Sequence, residues 1–428
     1  MSNLAEQQIE TSEFTPTGAP VQKGEINEVR PVPRITIQAF CESEIVAQTL
    51  ESSSRDRRMA RAHVKVHMGG VPAAVEFYGT APTPNLIVVE SKLTGQDLLT
   101  HLGRLAEVCD SETKVIVIGH TNDIMLYREL ITNGVSDYLV APISMADFMG
   151  SVSEIFVNPE AGPIGRVVAF IAAKGGAGSS TVCHNVAWSI SSNFQSDVVL
   201  TDLDLAFGTA NINLDQDPPQ GVAEAVFSPD RVDDILLDRL LAKCAEHLSL
   251  LSAPSTLERA YDFDKNAFGS IIEVAQRGAP CVAIDLPHQW NGWTKQILTS
   301  ADEVVITANP ELANLRNAKN LIDTLTELRP NDEKPRLVMN QVGMPKRPEI
   351  SVSDFCAPLG IDPVAIIPFD PALFGTAANN GQMIAEADPK SPVCESFTYL
   401  AQILTGKAEL RTEKKSALSI LNRLRRKG

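Results

Sequence analysis

A glycine-rich segment, AKGGAGSSTV, has the residue types and the spacing of a phosphate-binding loop. The run RVVAFIA before it (166–172) is apolar and β-branched, which predicts a strand, and apolar residues return at helical intervals from 180 to 190. A strand, a glycine turn and a helix together surround an anion with backbone N–H groups and a helix N-terminus. The segment therefore predicts nucleotide binding. Its candidate binding residues are Lys174, Gly175, Gly176, Ala177, Gly178, Ser179, Ser180 and Thr181.

Two later strand-like runs end in carboxylates. DVVLTDLDLAFGT (197–209) passes from apolar residues into Asp202 and Asp204, and APCVAIDLP (279–287) ends its apolar run at Asp285. Ligands bind at the carboxyl ends of parallel strands in open α/β sheets. A buried carboxylate there can hold Mg²⁺, usually through water. His288 is the only histidine that the sequence places beside this site, and a surface position and a role in the site both stay open for it.

The loop departs from the usual pattern G-x-x-x-x-G-K-[ST]. Ala173 occupies the first glycine position and Ser179 the lysine position, whereas Lys174 stands earlier in the loop. This arrangement resembles the deviant phosphate loop, K-G-G-x-G-K-[ST], of the MinD/ParA family. Serine in place of the second lysine is typical of its CpaE/TadZ branch, the proteins of Tad-type pilus assembly.

The resemblance implies ATP and Mg²⁺ as cofactors and assigns roles by position. Lys174 would reach across a dimer to the partner's nucleotide, and Ser180 would be a Mg²⁺ ligand. Asp204 would orient the attacking water, Asp202 would lie near the metal, and Asp285 would hold the metal, directly or through water. The catalytic residues implied are thus Lys174, Asp204 and Asp285. Because Ser179 removes a positive charge from the phosphate site, we expect hydrolysis to be slowed about 10²-fold or more.

Later segments extend the resemblance to the adenine side. ADEVVITANPELANLR (301–316) is similar to the family's T-x-P-E-x-x-x-x-R segment. Asn340 falls where the family reads adenine with an amide, and Pro368 and Asp370 are the other implied base contacts. An amide donates and accepts hydrogen bonds at once, which suits adenine.

The N-terminal part alternates between strand-like and helical stretches. The strand-like runs are 35–40, 63–68, 85–90, 114–119 and 136–140. The segment NGVSDYLVAPIS resembles the end of a response-regulator receiver domain. Phosphate acceptance in receivers needs an aspartate and a lysine where this chain has Glu90 and Ala141. The resemblance therefore implies a degenerate receiver that serves for docking or dimerisation, while mimicry of a phosphorylated state by Glu90 stays open.

These patterns predict the α/β class with two doubly wound domains: a flavodoxin-type sheet and a mostly parallel phosphate-loop sheet with helices on both faces. The predicted divisions are a disordered leader (1–32), a receiver-like domain (33–156), a linker (157–165), an ATP-binding domain (166–408) and a basic amphipathic tail (409–428).

Charge is distributed unevenly along the chain. The net charge is −16, yet residues 411–428 carry seven basic residues and one acidic residue. An acidic body disfavours nucleic acid as a partner, whereas the tail suits an anionic membrane surface. We therefore expect a cytoplasmic protein peripheral to the inner membrane, with a polar position left open. No apolar run is long enough to predict a spanning helix.

The implied function is a nucleotide-gated homodimer that acts with the components of a pilus-assembly machinery. A non-hydrolysing localisation scaffold and a DNA-partitioning ATPase of the ParA type remain as alternatives. An iron–sulfur reductase is disfavoured because the seven cysteines lack a C-x-x-C spacing.

Overall fold

The structure is a computed structural model that describes residues 29–110, 112–156, 164–254, 256–257 and 261–407. The tail predicted at 409–428, nearly all of the leader and most of the linker lie outside these ranges. The chain forms two compact units. Among the described residues, unit 1 contains 29, 35–53 and 64–152, and unit 2 contains 30–34, 54–63 and the chain from 153 onward.

Unit 1 is built on a five-stranded sheet with the order β2-β1-β3-β4-β5. All five strands predicted for this region are present, and their order in the sheet is that of flavodoxin-type folds. The pairings of β3 with β1, of β3 with β4 and of β4 with β5 are parallel. The strands are β1 Thr36–Cys41, β2 His63–Met68, β3 Leu86–Glu90, β4 Lys114–Gly119 and β5 Asp137–Val140. The helices are α1 Glu44–Ser53, α2 Gly70–Tyr78, α3 Gly95–Ala106, α4 Ile124–Thr132 and α5 Met145–Phe156.

Glu90, which the resemblance to receivers places at the phosphoacceptor position, is buried at the end of β3. Its carboxylate accepts hydrogen bonds from the N–H groups of Glu42 and Ser43, both at 2.8 Å, and from Ser43 Oγ at 2.7 Å. His120 Nε2 lies 3.0 Å from the same carboxylate. Burial alone would raise the pKa of Glu90, but these hydrogen bonds outweigh it and lower that pKa. The carboxylate is therefore tied into the fold by its neighbours.

Unit 2 contains an eight-stranded sheet with the order β13-β12-β11-β6-β10-β7-β9-β8. Neighbouring strands are parallel except β8 and β9, an antiparallel pair at one edge. The strands are β6 Arg166–Ala172, β7 Val198–Asp202, β8 Ala242–Ala245, β9 Leu248–Leu251, β10 Cys281–Asp285, β11 Glu303–Ala308, β12 Arg336–Val342 and β13 Pro363–Pro368.

Helices cover both faces of this sheet, as the sequence predicts. Along β6, Val167, Ala169 and Ile171 join one apolar cluster while Val168 and Phe170 join the other. Because both faces are buried, the central strands are continuously apolar. The helices are α6 Ser179–Phe194, α7 Ala210–Asn213, α8 Val222–Val226, α9 Asp234–Leu240, α10 Gly269–Gly278, α11 Gly292–Ser300, α12 Leu312–Leu328, α13 Val352–Cys356, α14 Pro371–Asn379, α15 Ile384–Ala387 and α16 Pro392–Leu404. No helix within the described ranges has the length and apolar character needed to span a membrane.

Residues 54–63 bring a buried ion cluster into unit 2. Asp332 receives hydrogen bonds at 2.8 Å from each of three arginines, Arg57, Arg58 and Arg329. Burial alone would raise the pKa of Asp332, but the three guanidinium groups outweigh it and lower that pKa. The carboxylate therefore stays ionised and holds three arginines together in the core of the unit.

Candidate nucleotide-binding site

The glycine loop connects the end of β6 to the start of α6. Gly176 and Gly178 have φ angles of +84° and +89°, a region that side chains other than glycine rarely adopt. A Cβ atom on Gly178 would lie 2.4 Å from Nδ2 of Asn340, so glycine is also required for space. The first N–H groups of α6 have no acceptor inside the helix, and the first bond of this turn runs from Val182 N to Gly178 O. The loop therefore has the backbone form of an anion cradle.

Three side-chain amides hold the carbonyl groups of the loop. Asn340 Nδ2 donates to Ala177 O at 2.8 Å, Gln341 Nε2 to Gly176 O at 3.2 Å, and Asn317 Nδ2 to Ala173 O at 2.8 Å. Backbone carbonyls that are bound from behind in this way fix the orientation of the peptide planes. The strand β12 and the helix α12 thus preorganise the loop.

Asn340 lies against the loop rather than in open space. It is 6% exposed, its Nδ2 binds Ala177 O, and its Oδ1 accepts from Gln341 N at 2.9 Å. Pro368 is paired with Val342 at the carboxyl ends of β13 and β12. Asp370 caps α14, since its Oδ1 accepts from Leu373 N at 3.0 Å. The contacts of Asn340, Pro368 and Asp370 with adenine stay predictions.

Asp202 and Asp285 end two neighbouring strands and are partners in register. Both are buried. Asp202 accepts from Asp204 N at 3.0 Å and from Ala210 N at 3.1 Å, which ties it to the start of α7. Burial, followed by the nearby carboxylate of Asp285, raises the pKa of Asp202 to about 7. Burial also raises the pKa of the half-buried Asp204, which accepts from Phe207 N at 3.2 Å. The sequence-predicted carboxylates are thus brought together.

The residues of this site suit a bound phosphate and Mg²⁺. Within the part of the chain that is described, Ser179 Oγ and Asp285 Oδ1 are buried and have no hydrogen-bond partner. Buried polar atoms in native proteins are nearly always hydrogen-bonded, so these two atoms fit a polar occupant. No group of three or more His, Cys, Asp or Glu side chains in the described ranges could bind a metal by itself. A Mg²⁺ here would rely on few protein ligands, on water and on phosphate oxygens, as this ion usually does.

Lys174 is half exposed, at 49%, and its Nζ lies 3.2 Å from Oε2 of Glu311. Arg347 Nη1 lies 3.7 Å from the other oxygen of the same carboxylate. An exposed ion pair of this kind is worth about 0–1 kcal/mol, so Lys174 can leave Glu311 at little cost. Glu311 was not identified from the sequence as a partner of the loop.

Two histidines contact the site, although the sequence indicated only one. His288 Nδ1 donates to Ala172 O at 2.9 Å, at the end of β6 beside the loop. His184 is 1% exposed on α6, and its Nε2 lies 3.2 Å from Oδ2 of Asp285. The expectation that His288 is the only histidine beside the site is therefore wrong. The spacing of His184, four residues after Ser180 and so on the same helix face, could have revealed it.

Known proteins resemble this part of the chain in sequence and fold. A family model described as AAA domain matches residues 165–339. The septum site-determining protein MinD of Bacillus subtilis strain 168 is 25% identical over 259 residues, which cover 57% of this chain and 91% of that protein. The solved structure of MinD complexed with Mg-ADP from Pyrococcus horikoshii OT3 matches with a TM-score of 0.50 and 19% identity, covering 60% of this chain and 98% of that chain.

The crystal structure of the pilus assembly protein CpaE from Caulobacter crescentus CB15 matches a different part of the chain. The identity is 46%, with coverage of 30% of this chain and 98% of that chain, and the TM-score is 0.30. This likeness rests on the sequence identity, and it lies in the N-terminal part. The recognition made from the sequence is confirmed: the chain is a relative of the CpaE pilus assembly proteins, and its C-terminal part matches the AAA-domain model and has a MinD/ParA-like fold.

Proposed function

We propose that the chain is a nucleotide-dependent assembly factor that binds ATP and Mg²⁺, hydrolyses ATP slowly and forms a homodimer when ATP is bound. One observation carries this proposal. A preorganised glycine loop at a helix N-terminus accompanies two buried polar atoms, Ser179 Oγ and Asp285 Oδ1, that have no partner among the described residues. A relative with this fold, the Pyrococcus MinD, was solved with Mg-ADP.

In this proposal each residue has a defined task. The loop N–H groups and the N-terminus of α6 bind phosphate oxygens. Ser180 and Asp285 hold Mg²⁺. Asp202, which accepts a hydrogen bond from Ala210 N, lies beside Asp285 as a second carboxylate near the ion. Asp204 accepts a hydrogen bond from the attacking water. Bound ATP and Mg²⁺ supply the phosphoanhydride and the Lewis acid.

Lys174 gates dimer formation in the proposed mechanism. Its ammonium group leaves Glu311 and binds the nucleotide held by the second copy of the chain. The weak Lys174–Glu311 contact supports this exchange, because its loss costs at most about 1 kcal/mol. Two charge-assisted contacts with phosphate, one from each subunit, offset that loss.

The cellular role that we propose is assembly or localisation of a Tad-type pilus at the inner membrane. The likeness to the Caulobacter pilus assembly protein supports this role. The basic tail at 409–428 binds an anionic membrane surface, and a dimer binds it more tightly because it presents two tails. The protein is then cytoplasmic and peripheral to the membrane, and nucleic acid is not its partner.

A non-hydrolysing scaffold is the second candidate, and Ser179 favours it. Serine at position 179 leaves the phosphate site without the positive charge that a lysine would supply. ATP can then still bind, while its turnover becomes too slow to be useful.

The test combines calorimetry of ATP and ADP with light scattering of the eluting protein, in Mg²⁺ or in EDTA. We expect ATP with Mg²⁺ to bind and to convert monomer to dimer. Lys174→Ala abolishes the dimer while binding by the monomer persists. Lys319→Ala is the matched control, since Lys319 forms a similar exposed pair with Asp323 at 2.6 Å. Absence of any heat with adenine nucleotides would refute the proposed function.

Ser179→Lys separates the two candidates. In a hydrolysing enzyme this substitution restores the charge and raises turnover by about 10²-fold. In a non-hydrolysing scaffold the other catalytic groups do not function, so ATP turnover stays absent after the substitution. Sedimentation with vesicles containing anionic lipid, with and without residues 409–428, tests the membrane contact separately.

A further inference from the structure

His184 stands out because it is a fully buried histidine that the proposed mechanism does not use. It lies on α6, four residues after Ser180, and is 1% exposed. Its two ring nitrogens face two different elements. Nδ1 lies 3.1 Å from Nδ2 of Asn213 on α7, and Nε2 lies 3.2 Å from Oδ2 of Asp285 at the end of β10.

The contact with Asn213 determines which ring nitrogen carries the proton. An amide nitrogen only donates, so His184 Nδ1 must accept, and the ring proton is then on Nε2. Nε2 is the ring nitrogen that lies 3.2 Å from Oδ2 of Asp285. In the described chain, neither His184 Nε2 nor Asp285 Oδ1 has an aligned hydrogen bond, although both are buried. A small movement of the carboxylate would align the Nε2–H···Oδ2 bond.

The helix α7 is tied to both buried carboxylates. Asp202 accepts directly from Ala210 N, the first residue of α7. His184 lies between Asp285 and Asn213, the last residue of α7, and contacts both of them. The helix α7 is therefore contacted at both ends, by Asp202 at its first residue and by the His184 imidazole at its last residue.

We propose that His184 is a positioning residue of the nucleotide site: it orients the Asp285 carboxylate toward the Mg²⁺ position and anchors α7 through Asn213. This inference rests on the proposed function for its Mg²⁺ part, whereas the anchoring of α7 exists in the protein without nucleotide. Residues that hold metal-binding carboxylates from behind typically change metal affinity by about 10–100-fold when they are lost.

The experiment uses the full chain and two measurements. The first is the Mg²⁺ gain, defined as the ratio of the ADP dissociation constant in EDTA to that in Mg²⁺. The second is amide hydrogen exchange of residues 203–214 without nucleotide. His184→Ala reduces the Mg²⁺ gain about tenfold or more, and it speeds exchange in α7 by about fivefold to tenfold, the effect of losing one hydrogen bond.

Two further variants separate positioning from simple packing. Glutamine can donate to Asp285 and accept from Asn213, so His184→Gln keeps the Mg²⁺ gain within about threefold of the unchanged protein. Asn213→Ala speeds exchange in α7 as His184→Ala does, with a smaller loss of Mg²⁺ gain. His247→Ala is the matched control, because His247 lies 2.8 Å from Asp197 and moves neither measurement.

Each outcome has a definite meaning. If the unchanged protein binds no nucleotide, the proposed function fails, and faster exchange of α7 in His184→Ala and Asn213→Ala still supports the anchoring. If α7 exchange and the Mg²⁺ gain in His184→Ala both equal those of His247→Ala, the inference is overturned. Should His184→Ala fail to fold, His184→Gln and Asn213→Ala give the same decision.

Discussion

Gly178→Ala tests the loop geometry most directly, because two separate costs can be read from the structure. An alanine at φ +89° carries a backbone cost of about 1–2 kcal/mol. Its Cβ would also lie 2.4 Å from Asn340 Nδ2, so the amide must move and lose Ala177 O. A buried amide left without its partner costs about 1–3 kcal/mol. We therefore expect Gly178→Ala to destabilise unit 2 by about 2–5 kcal/mol.

Gly176→Ala is the matched control for this substitution. Gly176 has φ +84°, and nothing lies within 4 Å of its added Cβ. Gly176→Ala should therefore lower the free energy of unfolding only by the backbone cost, about 1–2 kcal/mol. The double variant Gly178→Ala/Asn340→Ala removes the clash. Its loss of stability should be smaller than the sum of the two single losses by a coupling free energy of about 1–3 kcal/mol.

Urea denaturation followed by tryptophan fluorescence measures these values. All three tryptophans, Trp188, Trp290 and Trp293, lie in unit 2, so the signal reports on this unit alone. If Gly178→Ala and Gly176→Ala destabilise equally, the contact with Asn340 does not constrain the loop, and the reasoning is wrong.

Three further predictions follow from buried carboxylates. Asp332→Asn leaves three arginines without their common anion and should lower the free energy of unfolding of unit 2 by about 3–5 kcal/mol in the same urea assay. A decrease under about 1 kcal/mol would contradict the stabilising role of the ion cluster. Because the pKa of Glu90 is lowered in the folded state, its stabilisation of unit 1 is complete above the unfolded pKa of about 4.3 and is lost as pH falls through the lower folded pKa. In calorimetric scans between pH 3 and 6, the unfolding temperature of unit 1 should therefore depend less on pH in Glu90→Gln than in the unchanged protein. Gly208→Ala would place a Cβ 2.4 Å from Asp202 Oδ2 and should reduce Mg²⁺-dependent ADP affinity, measured by calorimetry, while leaving the affinity in EDTA nearly unchanged.

The strands and the acidic strand ends could be predicted from the sequence because they depend on local patterns. The five strands of unit 1, the loop before α6 and the aspartates at the ends of β7 and β10 all follow from apolar runs and their interruptions. The register that places Asp202 beside Asp285 depends on the strand order, which local patterns do not determine.

The charged segment SSRDRRMARA (53–62) shows where prediction from the sequence ends. Nothing in its composition indicates a buried position, yet Arg58 is among the largest fully buried side chains. Its anion, Asp332, stands 274 positions later in the chain. Likewise, the Lys174–Glu311 pair and the Asn340–Ala177 bond join distant parts of the sequence. Such contacts arise only when the tertiary structure brings these elements together.

The charges around the loop explain why a second subunit matters in the proposed function. Ser179 supplies no cation, Lys174 is neutralised by Glu311, and the nearby side chains Asp202 and Asp285 are acidic. One subunit therefore holds a triphosphate with backbone N–H groups alone, unless Mg²⁺ and the Lys174 of another copy add positive charge. Since binding and dimer formation are then linked, the apparent ATP affinity should rise with protein concentration, and Lys174→Ala should remove that dependence. An affinity independent of protein concentration, in a protein that does bind ATP, would mean that each subunit completes its own site.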